Sequence, residues 1–163
     1  MAIYRKSRRL GRCPGSPRRS RGLAIVETAL TLPILLLMAL GVVEFGRAIY
    51  QYVTLTAATR AAARYLAAHA LSGSTGVVQI DSTLSSQVKN IAVYGNAAGT
   101  GGTVLDGFDA SGVTVSDLGG NDVAVATTYA YQPLIGSQLP SFGFGAPISL
   151  SFTLQANVSL RAL

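Results

Sequence analysis

The feature that most constrains this chain is an apolar run from Leu23 to Val43, in which Glu27 is the only charged residue. About 20 apolar residues in a helix that rises 1.5 Å per residue span the ~30 Å hydrocarbon core of a bilayer. The run has no polar helical face, which is typical of a helix surrounded by lipid or fully buried in protein. No other segment is long enough to bury it. The run therefore predicts a transmembrane helix over residues 23–43, in which Pro33 is tolerated if neighbouring helices pack against it.

Basic residues are concentrated before this run. Eight of the 13 lysines and arginines precede Leu23 with no acidic residue among them, so the rest of the chain, with five basic and seven acidic residues, is formally −2. An excess of positive charge on one side of a span places that side in the cytoplasm. Residues 1–22 are therefore expected to be a basic cytoplasmic leader. Because the basic character belongs to this short tail, it does not indicate nucleic-acid binding.

A removable secretory signal peptide is the alternative interpretation of the N-terminal region. Ala39-Leu40-Gly41 weakly resembles a small-x-small cleavage site. However, the apolar run is longer than the usual apolar region of about 7–15 residues in signal peptides. The helical pattern also continues beyond Gly41 without a break. These two observations favour a retained anchor.

Glu27 is the one residue of the span that is costly in lipid. An ionisable side chain at the centre of a bilayer costs about 2.5–3.5 kcal/mol, although the cost is smaller near the edge, where Glu27 lies. A carboxylate in a first helical turn also complements the helix dipole. A cut after Gly22 would give Leu23 a free ammonium group one helical turn from Glu27, because positions i and i+4 share a face. The two charges could then pair within one helix or between neighbouring helices.

These residues resemble the cleavage signature of type IV prepilins, since Arg21-Gly22 is followed by Leu23-Ala-Ile-Val-Glu27 and an apolar helix. The continuation is similar to the TadE-like minor pilins, or pseudopilins, of the tight-adherence (Flp) pilus system: it contains a Leu-Pro pair and then Gly41-Val-Val-Glu-Phe-Gly-Arg47. The resemblance implies a single-pass protein of the bacterial inner membrane, with its C-terminal domain outside the cytoplasm or at the cell surface. It also implies cleavage after Gly22 by a prepilin peptidase.

The resemblance further implies partners and a role for Glu27. In the family, the glutamate at this position guides subunits into a helical assembly. The implied partners are the membrane, the prepilin peptidase, other Tad or Flp pilins and pseudopilins, and the inner-membrane assembly machinery. The implied function is pilus assembly, adhesion or surface attachment.

Beyond the span, the sequence predicts a helical stem over residues 44–71, which ends at Ser72-Gly73. An extracytoplasmic α+β domain is expected over residues 72–163. The stem is rich in alanine and has no proline. A second helix, capped by Asp81, is expected to end near Gly95.

Three runs of alternating or β-branched residues then predict strands over residues 112–116, 122–131 and 148–160. A long connection over residues 133–147 separates the last two. The expected fold is α+β, with the long N-terminal helix packed on a small antiparallel sheet. Type IV pilins generally share this arrangement.

No motif in the chain indicates an enzyme or a cofactor site. One histidine, His69, and one cysteine, Cys13, are too few for a usual zinc site or an intrachain disulfide. Asp106-Gly-Phe-Asp109 offers oxygen ligands for calcium but lacks the spaced set of an EF-hand. We therefore expect a protein that is not an enzyme. A permanently anchored extracytoplasmic binding protein and a soluble protein cleaved near Gly41 are the functional alternatives.

Overall fold

The computed structural model describes residues 18–71, 76–134, 136–139 and 145–163. Most of the predicted leader and the predicted helix end at Ser72-Gly73 therefore lie outside the described residues. The chain divides into one unit that ends at Leu36 and another that comprises Leu37–Leu163. A long helix and a small antiparallel sheet dominate the described chain, which confirms the predicted α+β class.

Helix α1 runs from Arg18 to His69 and contains Pro33. The predicted helix begins at Leu23, so the structure corrects this boundary: the last residues of the expected leader are helical. Arginine and serine are acceptable helix residues, and Gly22 costs the helix only about 1 kcal/mol relative to alanine. This cost is small enough for the helix to begin before the apolar run.

The second half of α1 has one buried face. Fully buried residues recur every three or four positions: Leu55, Thr59, Ala62 and Leu66. This spacing produces a single face that packs against the core. Arg60 and Arg64 lie on the exposed side, as their like charges predict.

Helix α2, Ser82–Tyr94, is bounded by the two capping residues that the sequence predicts. The side chain of Asp81 accepts a hydrogen bond from the amide of Leu84 at 2.6 Å. Gly95 adopts the left-handed conformation at φ 76° and donates its amide hydrogen to the carbonyl of Ile91 at 3.0 Å. These contacts satisfy backbone groups that a helix end leaves unpaired.

The main sheet has three antiparallel strands in the order β1-β2-β5: β1 is Val113–Gly119, β2 is Asp122–Ala130 and β5 is Thr153–Arg161. In the central strand, Val125 lies opposite Val115 on one side and Val158 on the other. Val123, Val125 and Tyr129, at alternate positions of β2, belong to the core shared with the helices, while alternate residues of β5 are polar and exposed. This alternation is the pattern expected of a sheet with one solvated face.

The structure corrects the predicted third strand. Residues 148–160 do not form one strand: Ile148–Ser149 is a separate strand, β4, and β5 begins at Thr153. Strand β4 pairs with Gln138–Leu139, strand β3, which lies within the segment predicted as a loop. A pairing only two residues long produces no periodic pattern in the sequence. The alternation of residues 148–160 therefore gave no sign that two separate strands lie within it.

Three contacts fix the direction of α1 relative to β2. Glu44 contacts Tyr131, Thr59 contacts Thr127, and the carbonyl of Ala67 accepts a hydrogen bond from the amide of Leu163. Leu163 lies beside the start of β2, because the amide of the preceding residue, Ala162, donates to the carbonyl of Asn121. Helix and strand therefore run antiparallel, with Glu44 at the end of the domain nearest the apolar run.

Candidate assembly segment

The predicted processing residues lie at the start of the apolar part of α1. Gly22 and Leu23 are both helical, and 73% of the Leu23 surface is exposed. A side chain at Gly22 would meet no other atom within 4 Å. A peptidase that cuts between these residues must therefore open a helical turn, and glycine lowers the cost of that opening.

Glu27 is exposed and lies four residues after Leu23 on the same helix, so the structure brings the two together on one face. Polar side chains near it are satisfied within the helix. The hydroxyl of Thr28 donates to the carbonyl of Ala24 at 2.8 Å, and that of Thr31 donates to the carbonyl of Glu27 at 3.0 Å. The carboxylate of Glu27 is thus a charged group exposed on this apolar helical surface.

Glu44 occupies a different environment, directly after the end of the predicted span. Only 4% of its surface is exposed. One carboxylate oxygen accepts a hydrogen bond from the hydroxyl of Tyr131, and the other accepts one from the amide of Leu134 at 2.8 Å. A buried carboxylate needs such donors, because burial of an unpaired charge is strongly unfavourable.

Arg47 contacts the same part of the chain as Glu44, the residues that follow β2. Its Nε donates a hydrogen bond to the carbonyl of Gln132 at 3.1 Å. The hydroxyl of Tyr131 also lies 3.1 Å from the carbonyl of Glu44. The two charged residues of the segment from Gly41 to Arg47 therefore both hold the chain that leaves β2.

The model of the family described as TadE-like protein matches residues 22–64. Over these residues the chain is similar to TadE-like proteins. The match confirms the resemblance inferred from the sequence and begins at Gly22, the expected last residue of the leader. It associates the chain with the Tad pilus system, in a family that is not enzymatic in general. Neither the search of curated proteins nor the search of solved structures found a match.

The TadE-like region overlaps a helix of the described chain that could cross a membrane. By length and composition, the helix over Gly22–His69 qualifies, with a mean hydropathy of 2.3 in its most apolar window, none of which is buried. This is consistent with a membrane-anchored protein of the Tad system. The same region contains Glu27, Glu44 and Arg47, so its exposed and its buried carboxylates belong to one helix.

Tyr131, the hydrogen-bond partner of Glu44, has a shifted pKa and a stacked aromatic neighbour. Burial raises the pKa of Tyr131 to about 12, and the hydrogen bond and negative charge of Glu44 act in the same direction. The ring of Tyr131 stacks on that of Phe152, with centroids 4.6 Å apart. The TadE-like helix is thereby joined to both β2 and the start of β5.

Sequence reasoning did not identify this role of Glu44. It placed Glu44 and Arg47 within the family motif and counted them as charges beyond the span, but their partners lie more than 80 positions away. The available signal was a carboxylate directly after an apolar run in a domain with few charges. No local pattern connects such a residue to a particular tyrosine.

The structure does not support a calcium site at Asp106 and Asp109. Among the described residues, no group of three or more histidine, cysteine, aspartate or glutamate side chains is placed to hold a metal ion. Asp109 instead accepts hydrogen bonds from the amide and hydroxyl of Ser111, which lower its pKa. The backbone carbonyl of Asp106 accepts a hydrogen bond from Tyr129 at 2.8 Å.

Proposed function

We propose that this chain is a minor pilin or pseudopilin of a Tad-type (Flp) pilus. A prepilin peptidase cuts it after Gly22, and the mature chain takes part in pilus assembly, adhesion or surface attachment through its apolar helix. The observation that carries the proposal is that Leu23 and Glu27 lie one turn apart on an exposed apolar helix. The TadE-like match over residues 22–64 supports it independently.

In this proposal, cleavage changes the charge next to Glu27. The basic leader is replaced by one ammonium group on Leu23, at the i to i+4 distance from the carboxylate. A carboxylate in lipid is costly while it is alone, and pairing with an ammonium group reduces that cost. The new N-terminus of a neighbouring subunit can serve as the same partner, so the pair favours helices that lie side by side.

The proposed topology follows from the distribution of charge. The N-terminus lies in the cytoplasm, residues 23–43 cross the inner membrane once, and the rest of the chain lies outside the cytoplasm. The proposed partners are the prepilin peptidase, other Tad or Flp pilins and pseudopilins, and the inner-membrane assembly machinery. Glu44 contributes by fixing the outer domain to the helix, and Glu27 contributes by contact between subunits.

The experiment compares Glu27→Ala with Thr28→Ala in cells that contain the prepilin peptidase and the other pilus subunits. Both positions are exposed on the same helix, so Thr28→Ala is a matched control. We expect both variants to be cleaved. Copurification of Glu27→Ala with the other subunits should fall about tenfold, which corresponds to an ion pair of about 1.4 kcal/mol. Normal copurification of Glu27→Ala would contradict the pairing role.

A further inference from the structure

An exposed apolar surface surrounds the buried carboxylate of Glu44. Three side chains at this end of the domain are more than half exposed: Phe45 at 69%, Leu134 at 63% and Ile148 at 60%. Phe152, at 44%, is nearly so. Together with the less exposed Leu150, we call these residues the apolar rim.

The residues of the apolar rim are neighbours. Phe45, Leu150 and Phe152 line one shallow groove with Gly41. The amide of Leu134 reaches the carboxylate of Glu44, which lines the same groove. Ile148 lies two positions before Leu150, and alternate residues of an extended strand share a face. The groove thus joins helix α1 to Leu150 and Phe152, and Leu134 and Ile148 extend the rim along the neighbouring chain.

The apolar rim lies at the level where α1 leaves the predicted span. Phe45 follows Val43 by two residues, so it lies about 3 Å further along the helix. The headgroup region on each side of a bilayer is about 5–8 Å thick, which is half the difference between the total and the hydrocarbon thickness. Phenylalanine and leucine are among the side chains that interfacial amphipathic helices bury at the boundary of headgroups and acyl chains.

The distribution of charge in the outer domain also bears on which partner the apolar rim contacts. From Val123 to Leu160 the sequence contains no aspartate, glutamate, lysine, arginine or histidine. At the opposite end of β2, Asp122 lies opposite Arg161, and Asp117 is exposed beside them. Near the rim, the charged side chains are Glu44 and Arg47, which both hydrogen-bond to the chain that leaves β2, and Asp106, whose carbonyl accepts a hydrogen bond from Tyr129. The segment that supplies Leu134, Ile148, Leu150 and Phe152 is itself uncharged, and apolar side chains next to a span suit the lipid interface.

We propose that the apolar rim contacts the lipid interface on the extracytoplasmic side of the membrane, so that the outer domain lies against the bilayer. The partner is a phospholipid surface, bound through apolar contact rather than through headgroup charge. The inference rests on the anchored topology of the proposed function. The burial of Glu44 makes such contact possible, because its carboxylate is shielded by Tyr131 and Leu134.

The test uses the full chain with Cys13→Ser and one introduced cysteine carrying an environment-sensitive fluorophore. Ile148→Cys reports on the rim. Leu118→Cys is the matched control, because Leu118 is also 60% exposed but lies at the far end of the sheet. Val42→Cys reports on the span. Each protein is reconstituted in phosphatidylcholine vesicles with and without spin-labelled lipid. We expect at least twofold quenching at positions 148 and 42 and none at position 118.

The possible failures are distinguishable. Quenching at position 42 but not at position 148 would overturn the lipid contact and leave the anchored topology intact. Emission at position 148 that changes with protein density but not with spin-labelled lipid would overturn it in favour of a protein partner. Absence of quenching at position 42 would overturn the anchored topology itself, and the lipid contact with it.

Discussion

Tyr131 and Glu44, which are 87 positions apart in the sequence, share a buried hydrogen bond between phenol and carboxylate. The contact joins the first turn of α1 beyond the apolar run to the chain that leaves the central strand. It means that the charged residues of the TadE-like helix lie in two environments. Glu44 and Arg47 hydrogen-bond to the chain that follows β2, whereas Glu27 is exposed.

Replacement of Glu44 by leucine should destabilise the outer domain by about 3 kcal/mol. The change leaves the buried hydroxyl of Tyr131 and the partly buried amide of Leu134 without this acceptor, and each unsatisfied buried group costs about 1–3 kcal/mol. Glu44→Gln retains one acceptor oxygen and should cost less. Urea unfolding of the full chain in mild detergent measures both. A loss below 0.5 kcal/mol for Glu44→Leu would show that the contact is not structural.

The stability of the domain should fall more steeply above pH 10 than its content of ordinary tyrosines predicts. The pKa of Tyr131 is raised from 10.0 to about 12, so folding favours the protonated phenol. This contribution is fully present below pH 10 and is lost as the pH rises to about 12. Thermal unfolding of the wild-type chain and of Tyr131→Phe over this range provides the comparison. Parallel curves for the two proteins would be inconsistent with the shifted pKa.

A second buried polar contact joins α1 to the sheet. The hydroxyls of Thr59 and Thr127 lie 2.7 Å apart, and both side chains are almost fully buried. Thr59→Val and Thr127→Val should each cost about 1–2 kcal/mol, because each leaves the other hydroxyl with a weaker set of partners. The double variant should cost less than the sum of the two. Strict additivity in this double-mutant cycle would show that the hydroxyls do not interact.

Gly112 marks a close approach of two backbone segments. A Cβ atom at this position would clash with the carbonyl oxygen of Thr128, so Gly112→Ala should cost about 1–3 kcal/mol through local displacement of the backbone. Gly102→Ala is the control, because a Cβ atom there meets nothing within 4 Å. It should change the free energy of unfolding by less than about 0.5 kcal/mol. Equal effects of the two variants would mean that the approach at Gly112 relaxes freely.

Much of the fold could be predicted because the relevant signals are local. Asp81 and Gly95 bound α2 as capping rules require, and the central strand falls within one residue of its expected limits. The resemblance over the apolar helix needed only a contiguous stretch of sequence, and the family match confirms it. Both the caps and the resemblance depend on residues that are close together along the chain.

The parts that could not be predicted depend on distant contacts. The division of residues 148–160 into β4 and the start of β5 depends on pairing with β3, which is only two residues long. The burial of Glu44 depends on Tyr131 and Leu134, which no spacing rule connects to it. Helix α1 begins before Leu23 because weak propensities permit it, and no breaker stands between Arg18 and Gly22.

The most direct test of the proposed function is the N-terminus of the mature chain. Intact-mass analysis and N-terminal sequencing are applied to protein recovered from cells whose prepilin peptidase processes a known prepilin. Gly22→Leu serves as the blocked control. The proposal predicts that the wild-type chain begins at Leu23 and that Gly22→Leu remains uncut. A wild-type chain that retains its leader in these cells, or one that begins near Val42, would contradict it.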